Sequence, residues 1–160
     1  MQIEFKIISH SEFFFSCFSK INKSNFEMPK FSLSEAIDLA KEKLIKSGCS
    51  EENCQGITDG IIDAELSSIK SHGFHYLPIY CNHLKIGKIK GLAQASAERL
   101  SESALRINAD NGFAHNAINL GFSSLFDMCA TSGIASMSVF NSYNCGVLGF
   151  HTKRIAEKGF

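Results

Sequence analysis

The groups in this chain best suited to proton transfer, metal ligation or nucleophilic attack are six histidines and six cysteines, and their spacing limits what they can do. Cys17, Cys49, Cys54, Cys81, Cys129 and Cys145 form no Cys-x-x-Cys pair, and no histidines stand at zinc-finger spacing, so neither a metal centre nor a redox motif is expected. They read as reduced, mostly buried thiols. An even count allows disulfides as the alternative, but no secretory signal supports it. Ser71-His72-Gly73 sets a hydroxyl beside an imidazole at a helix end, where the ring either titrates against a ligand or caps the carbonyls of the preceding turn. His115, just after the Asp110-Asn111-Gly112 turn, reads as structural before catalytic, and His75 as a surface or packing residue. The polar loop Asn141-Ser142-Tyr143-Asn144-Cys145-Gly146 opens a helix, so its backbone N–H groups suit a phosphate or carboxylate, unless it is a plain turn. Cys145 has no base fixed near it in sequence. Neither G-x-G-x-x-G nor a Walker-type Gly-Lys-Ser/Thr occurs, which leaves an ordinary Rossmann or P-loop site without support.

The elements that must position these groups follow from apolar periodicity. Ser32 and Glu35 have capping-box spacing, Leu33, Ala36, Ile37, Ala40 and Leu44 share a helical face, and Gly48 sits where a left-handed cap belongs. A second helix is predicted from Glu51 to Ile69 with Cys54, Ile57, Ile61, Ala64 and Ile69 inward, and a third from Tyr76 to Gly87 with Pro78 in its first turn. Residues 104–109 alternate as a half-buried strand. A helix from Phe113 to Thr131, with Ala117, Leu120, Ser124, Leu125 and Met128 inward, is followed by a strand over Ile134 to Phe140 and a last helix from Val147 to Lys158. This order is α/β. Such folds bind ligands at the carboxyl ends of strands, so the loop 141–146 is the first place to look. Only two or three strands are expected, an incomplete unit that needs more chain or a partner to cover it. Residues 1–30 are aromatic-rich and aperiodic apart from a possible strand at Ile3 to Ile8, and read as an N-terminal extension to a domain over 31–160.

At 160 residues the chain is one domain or one piece of a larger fold. With 16 basic against 16 acidic residues it has no field to gather nucleic acid or an acidic membrane surface. Charged residues interrupt every apolar run before the length a membrane helix needs, and the patch Phe13 to Phe18 lacks the flanks of a signal peptide. A soluble, cytoplasmic protein is expected.

Three ordered blocks, Ser71-His72-Gly73-Phe74-His75-Tyr76-Leu77-Pro78-Ile79-Tyr80, Asp110-Asn111-Gly112-Phe113 and Val139-Phe140-Asn141-Ser142-Tyr143-Asn144-Cys145-Gly146, resemble the malate/L-lactate dehydrogenase family, which also contains ureidoglycolate dehydrogenase and piperideine-2-carboxylate reductase. The resemblance implies NAD- or NADP-dependent hydride transfer to small 2-oxo acids or cyclic imino acids, on a distinctive non-Rossmann α/β fold, in homodimers and without a metal. It makes Ser71 and His72 the proton-relay pair and assigns cofactor contacts to His72, Asn144, Cys145, Gly146, Val147 and Leu148. Two positions depart from the family. Tyr76 stands where an Arg binds the substrate carboxylate, and Asn144 where the catalytic His stands, so impaired ketone reduction is expected. The family continues beyond the point matched by Phe160, which makes a truncated fold the expectation. Two readings result: an impaired oxidoreductase, or an inactive remnant acting at most as a binding or dimerisation module.

Overall fold

The computed structural model describes residues 2–4 and 30–160, and their element order is mixed α/β. Gln2–Glu4 (β1) pairs antiparallel with Lys30–Ser32 (β2). The remainder of the aromatic leader, including most of the expected strand at Ile3 to Ile8, the patch Phe13 to Phe18 and Cys17, lies outside the described residues.

Helix α1, Leu33–Lys46, starts as the sequence dictates. Ser32 Oγ accepts the Glu35 N–H at 3.3 Å while the Glu35 carboxylate accepts the Ser32 N–H at 2.8 Å, satisfying donors that a helix start otherwise leaves orphaned. Ser50 caps α2, Glu51–Leu66, in the same way, accepting from the Asn53 N–H at 3.2 Å. This helix ends before the expected Ile69, and a short 3₁₀ turn, Lys70–His72, leads to α3, Leu77–Lys85. Ala36, Ala40 and Leu44 of α1 close over Cys54, Ile57 and Ile61 of α2 and Tyr80, Cys81 and Leu84 of α3, forming a helical core that Phe74, Ile89 and Phe113 complete. Burying such apolar surface is the dominant favourable term in folding. The segment after α3 returns against α1 at Gly91, whose missing side chain lets the Gly48 carbonyl approach: a Cβ there would lie 2.0 Å from that oxygen.

The second core is built on a three-stranded sheet in the order β3-β4-β5. Ser96–Arg99 (β3) runs antiparallel to Ala104–Asn108 (β4), and β4 runs parallel to Ser136–Phe140 (β5), with Ile107 opposite Val139. Helix α4, Ala114–Ser132, crosses between the parallel strands and ends on Gly133, whose φ of +75° makes it a left-handed cap. Leu105, Ile107, Ala117 and Met128 meet between sheet and helix. Strand β3 was absent from the sequence expectation because all four of its residues are exposed, which removes the alternation that marks a half-buried strand. On α4 the expected inward Leu120 is 47% exposed; Gly121 and Phe122 are buried there instead, because a glycine lets the helix press on Met137 and Ile107. The last helix, α5, is Leu148–Ala156, shorter at each end than predicted. No described helix is long and apolar enough to cross a membrane.

Candidate functional site

The turn bearing Ser71 and His72 is fixed from below by Glu65, a residue the sequence reading did not single out. Glu65 is 6% exposed; its Oε1 accepts the Phe74 N–H at 2.7 Å and its Oε2 accepts from Lys70 Nζ at 2.9 Å. Gly73 is required by this arrangement, since a Cβ at that position would lie 2.2 Å from the same Oε1. Held this way, Ser71 and His72 are both exposed, and the Ser71 hydroxyl lies 3.0 Å from His72 Nδ1. His72 therefore bonds its neighbour's hydroxyl and leaves Nε2 for an incoming group. No helix carbonyl is capped by its ring among the hydrogen bonds of the described residues.

From this pair a ladder of rings leads to the loop after β5. His72 stacks on Tyr76 with centroids 6.4 Å apart and planes at 12°, and Tyr76 meets Tyr80 edge-on at 4.8 Å. The Tyr80 hydroxyl donates to Asn144 Oδ1 at 3.3 Å. Tyr80 is almost wholly buried, and burial raises its phenol above the ordinary tyrosine range, so it remains a donor. The Gly146 N–H also donates to Asn144 Oδ1, at 3.3 Å. With the oxygen so engaged, the exposed Asn144 amide presents its NH₂ as a hydrogen-bond donor; it cannot give up a proton near neutral pH. Next to it, Tyr143 hangs from the Gly112 carbonyl through its N–H at 2.9 Å and places its hydroxyl 2.6 Å from His83 Nδ1. Burial and the neighbouring Tyr76 phenol push the Tyr143 phenol up to about 12. Ser71, His72, Tyr76 and Asn144 are thus joined by one continuous run of contacts.

The other assigned cofactor positions lie where the loop turns into α5. Gly146 has φ of +66°, and a Cβ on it would come within 3.0 Å of His115 Nε2. His115 is the structural residue expected: 1% exposed, wedged between Gly60 of α2 and Gly146, with burial first and His151 second lowering its pKa to about 3. It is a neutral spacer. His151 Nε2 donates to the Cys145 carbonyl at 2.8 Å, which pins the loop to α5. Val147 takes an extended N-cap conformation without a side-chain cap, leaving the first N–H groups of α5 unclaimed by side chains, and Leu148 is 71% exposed. Residues 141–148 contain no carboxylate. Open helix N–H groups, the Asn144 amide and the absence of negative charge fit a phosphate- and carboxamide-bearing dinucleotide. No cluster of three or more metal-ligating side chains occurs among the described residues. The five described cysteines are free thiols; Cys49, Cys54 and Cys81 are buried, and Cys129 and Cys145 half-buried.

A separate cleft of about 470 Å³ lies between α2, residues 93–95 and α4, lined by Asn53, Gln55, Asn116 and Asn119 among others. None of the candidate site residues named from the sequence lines it.

The malate/L-lactate dehydrogenase family model matches residues 31–160. The chain belongs to the malate/L-lactate dehydrogenase family. Among its relatives, a Delta(1)-pyrroline-2-carboxylate reductase of Ancylobacter novellus is 29% identical over 133 residues, which cover 83% of this chain and 39% of the relative. A (2R)-3-sulfolactate dehydrogenase (NADP(+)) of Chromohalobacter salexigens is 31% identical over 128 residues, 80% of this chain and 38% of the relative. The crystal structure of delta1-piperideine-2-carboxylate reductase from Pseudomonas syringae superposes with a TM-score of 0.77 at 27% identity, covering 80% of this chain and 39% of that one. The chain therefore has a malate/L-lactate dehydrogenase fold and spans about two fifths of the length of these relatives.

Proposed function

We propose that the chain forms the Ser-His turn and cofactor-loop portion of an NAD(P)-dependent oxidoreductase, acting as a homodimer on a small 2-hydroxy or 2-oxo acid or a cyclic imino acid, with turnover lowered by Tyr76 and Asn144. The observation that carries this reading is the ladder from Ser71 and His72 through Tyr76 and Tyr80 to Asn144, because it sets a titratable pair and a dinucleotide-compatible loop against one another. The names of the relatives, imino-acid reductases and a sulfolactate dehydrogenase, support small acids as the substrate class.

In this reading His72, Asn144, Cys145, Gly146, Val147 and Leu148 hold the nicotinamide cofactor, whose part when bound is to give or take a hydride. The Ser71–His72 pair moves a proton: the hydroxyl fixes Nδ1, so the exchange with substrate occurs at Nε2. Asn144 orients and polarises through its NH₂ group but supplies no proton. Losing an acid and a carboxylate clamp each costs a factor of about 100, so turnover is expected on the order of 10⁴ below an enzyme that has both. The experiment is NADH and NADPH binding and oxidation by the purified chain with a panel of 2-oxo acids and Δ1-piperideine-2-carboxylate, run beside the Asn144→His, Tyr76→Arg double variant. Cofactor binding by neither protein sinks the proposal.

The engagement of Asn144 Oδ1 by two donors favours a second reading, a binding module without turnover. Measurable turnover by the unmodified chain removes it.

A further inference from the structure

The cleft between α2, residues 93–95 and α4 has a polarity that its own hydrogen bonds fix. Asn53, 8% exposed, gives its amide N–H groups to the Gly91 and Ala93 carbonyls, each at 2.9 Å, so its Oδ1 is turned to accept. Asn116 Nδ2 donates to that oxygen at 2.8 Å, which leaves Asn116 Oδ1 without a donor among the described residues. Gln55 is oriented in the same manner: its Nε2 donates to the Asp59 carboxylate at 2.6 Å, and no donor claims its Oε1 among the described residues. Two amides that could face either way are thus both set as acceptors. Next to them the Glu52 carboxylate is exposed and has neither an ion pair nor a hydrogen bond among the described residues, and no Lys, Arg or His lines the cleft.

Gly56 forms the floor. A Cβ there would lie 2.5 Å from Asn116 Oδ1 and 3.1 Å from Asn119 Nδ2, so a glycine is what lets these groups stand over α2. Leu120, exposed on α4, gives the cleft an apolar side together with Ala93 and Ala95. The positive end of the α2 dipole would repel a cation, and Glu51 and Glu52 in the first turn offset it.

We infer that this cleft binds a small organic cation rich in N–H groups on a short aliphatic stem, an alkylguanidinium. The planar head meets Glu52 through paired N–H···O bonds, its remaining N–H groups serve Gln55 Oε1 and Asn116 Oδ1, and the stem lies along Leu120. An anion finds no positive side chain here, and a ligand made of acceptors sets oxygen against oxygen. The site is separate from Ser71, His72 and Asn144, none of which lines the cleft, and it does not rest on the oxidoreductase reading.

The probes are n-butylguanidinium and n-butylurea, which keeps the planar head and the stem but has no charge. Each is titrated into the full chain and read by calorimetry and by the side-chain amide signals of Gln55, Asn116 and Asn119 in nitrogen–proton spectra. The cation is expected to bind, to move these signals, and to bind about tenfold more tightly than the urea. Glu52→Gln removes the charge from an exposed residue without partners and is expected to erase that preference, and Gln55→Met to weaken the cation about fivefold, with the thermal midpoint of each variant confirming that it is folded. Absence of binding, equal affinity for the two probes, signal changes confined to other residues, or an undiminished preference in folded Glu52→Gln overturns the site. The two probes compared on the unmodified chain decide the matter even if a variant fails to fold.

Discussion

The Tyr80 hydroxyl holds Asn144 by its carbonyl oxygen across 3.3 Å, linking a buried residue of the third helix to an exposed residue of the loop after the last strand. The bond orients the amide: with the oxygen turned inward, only the NH₂ faces outward. Tyr80→Phe removes the donor while keeping the ring. A loss of about 1 kcal/mol in urea unfolding is expected, with altered side-chain amide signals of Asn144 in nitrogen–proton spectra. An unchanged Asn144 amide would falsify the orientation described here.

Restoring an imidazole and a guanidinium should restore chemistry. The double variant Asn144→His, Tyr76→Arg is expected to oxidise NAD(P)H at least about 100-fold faster than the unmodified chain at saturating acid substrate, with Asn144→His alone giving part of the gain. Steady-state rates for the two single variants and the double variant supply the test, and a double variant no faster than the parent contradicts it.

Acid should unfasten the loop from the fourth helix. The His115 pKa lies at about 3 in the folded chain against 6.5 unfolded, so below pH 6.5 the unfolded state binds the proton that the folded state refuses. Stability therefore falls as pH drops through 6.5 towards 3, by about 2 kcal/mol at pH 5 from this residue. His151, lowered chiefly by burial, acts in the same direction. Urea midpoints measured from pH 7 to pH 5 should fall steeply for the unmodified chain and less steeply for His115→Leu.

Glu65 is expected to matter to the Ser71–His72 turn although it touches neither side chain. Glu65→Ala leaves the Phe74 N–H without its acceptor and Lys70 without its partner, a loss of roughly 2–3 kcal/mol for a buried charged acceptor. The His72 ring signals should broaden or split as the turn loosens. If stability and His72 signals are both unaltered, Glu65 does not fix the turn.

Gly91→Ala tests the seam between the first helix and the segment after the third. Its Cβ would meet the Gly48 carbonyl oxygen, a backbone atom that no rotamer change can move. Destabilisation of about 1–3 kcal/mol is expected from overpacking, read as a lower thermal midpoint with secondary structure retained.

Much of this architecture is legible in the residues. Ser32 with Glu35 marks a helix start that the structure has, because caps are local chemistry. Strands β4 and β5 are both expected from the sequence, β4 through its apolar alternation, while their parallel pairing is seen in the structure. What escapes is decided by distant partners: β3 is a fully exposed edge strand, and α4 turns Gly121 rather than Leu120 inward because the sheet surface leaves room only for a glycine. At the site, Ser71, His72, Tyr76 and Asn144 stand out through family resemblance, whereas Glu65 does not, since nothing local announces a carboxylate that reaches back to the Phe74 N–H. Tyr80 and His83 could have been found from their spacing with Tyr76 along one helix. Tyr143 could not, because its value lies in being brought against that helix from 60 residues away.

The loop after the last strand is anchored at alternate residues to different bodies: the Asn141 carbonyl accepts from Asn111, the Tyr143 N–H reaches Gly112, the Tyr143 hydroxyl meets α3, and the Cys145 carbonyl accepts from α5. It serves as a strut between the helical half and the sheet half. Any molecule that leans on Asn144 consequently pulls on both halves at once, so occupancy at that residue should be felt as stiffness throughout residues 70–150 instead of as a local dent.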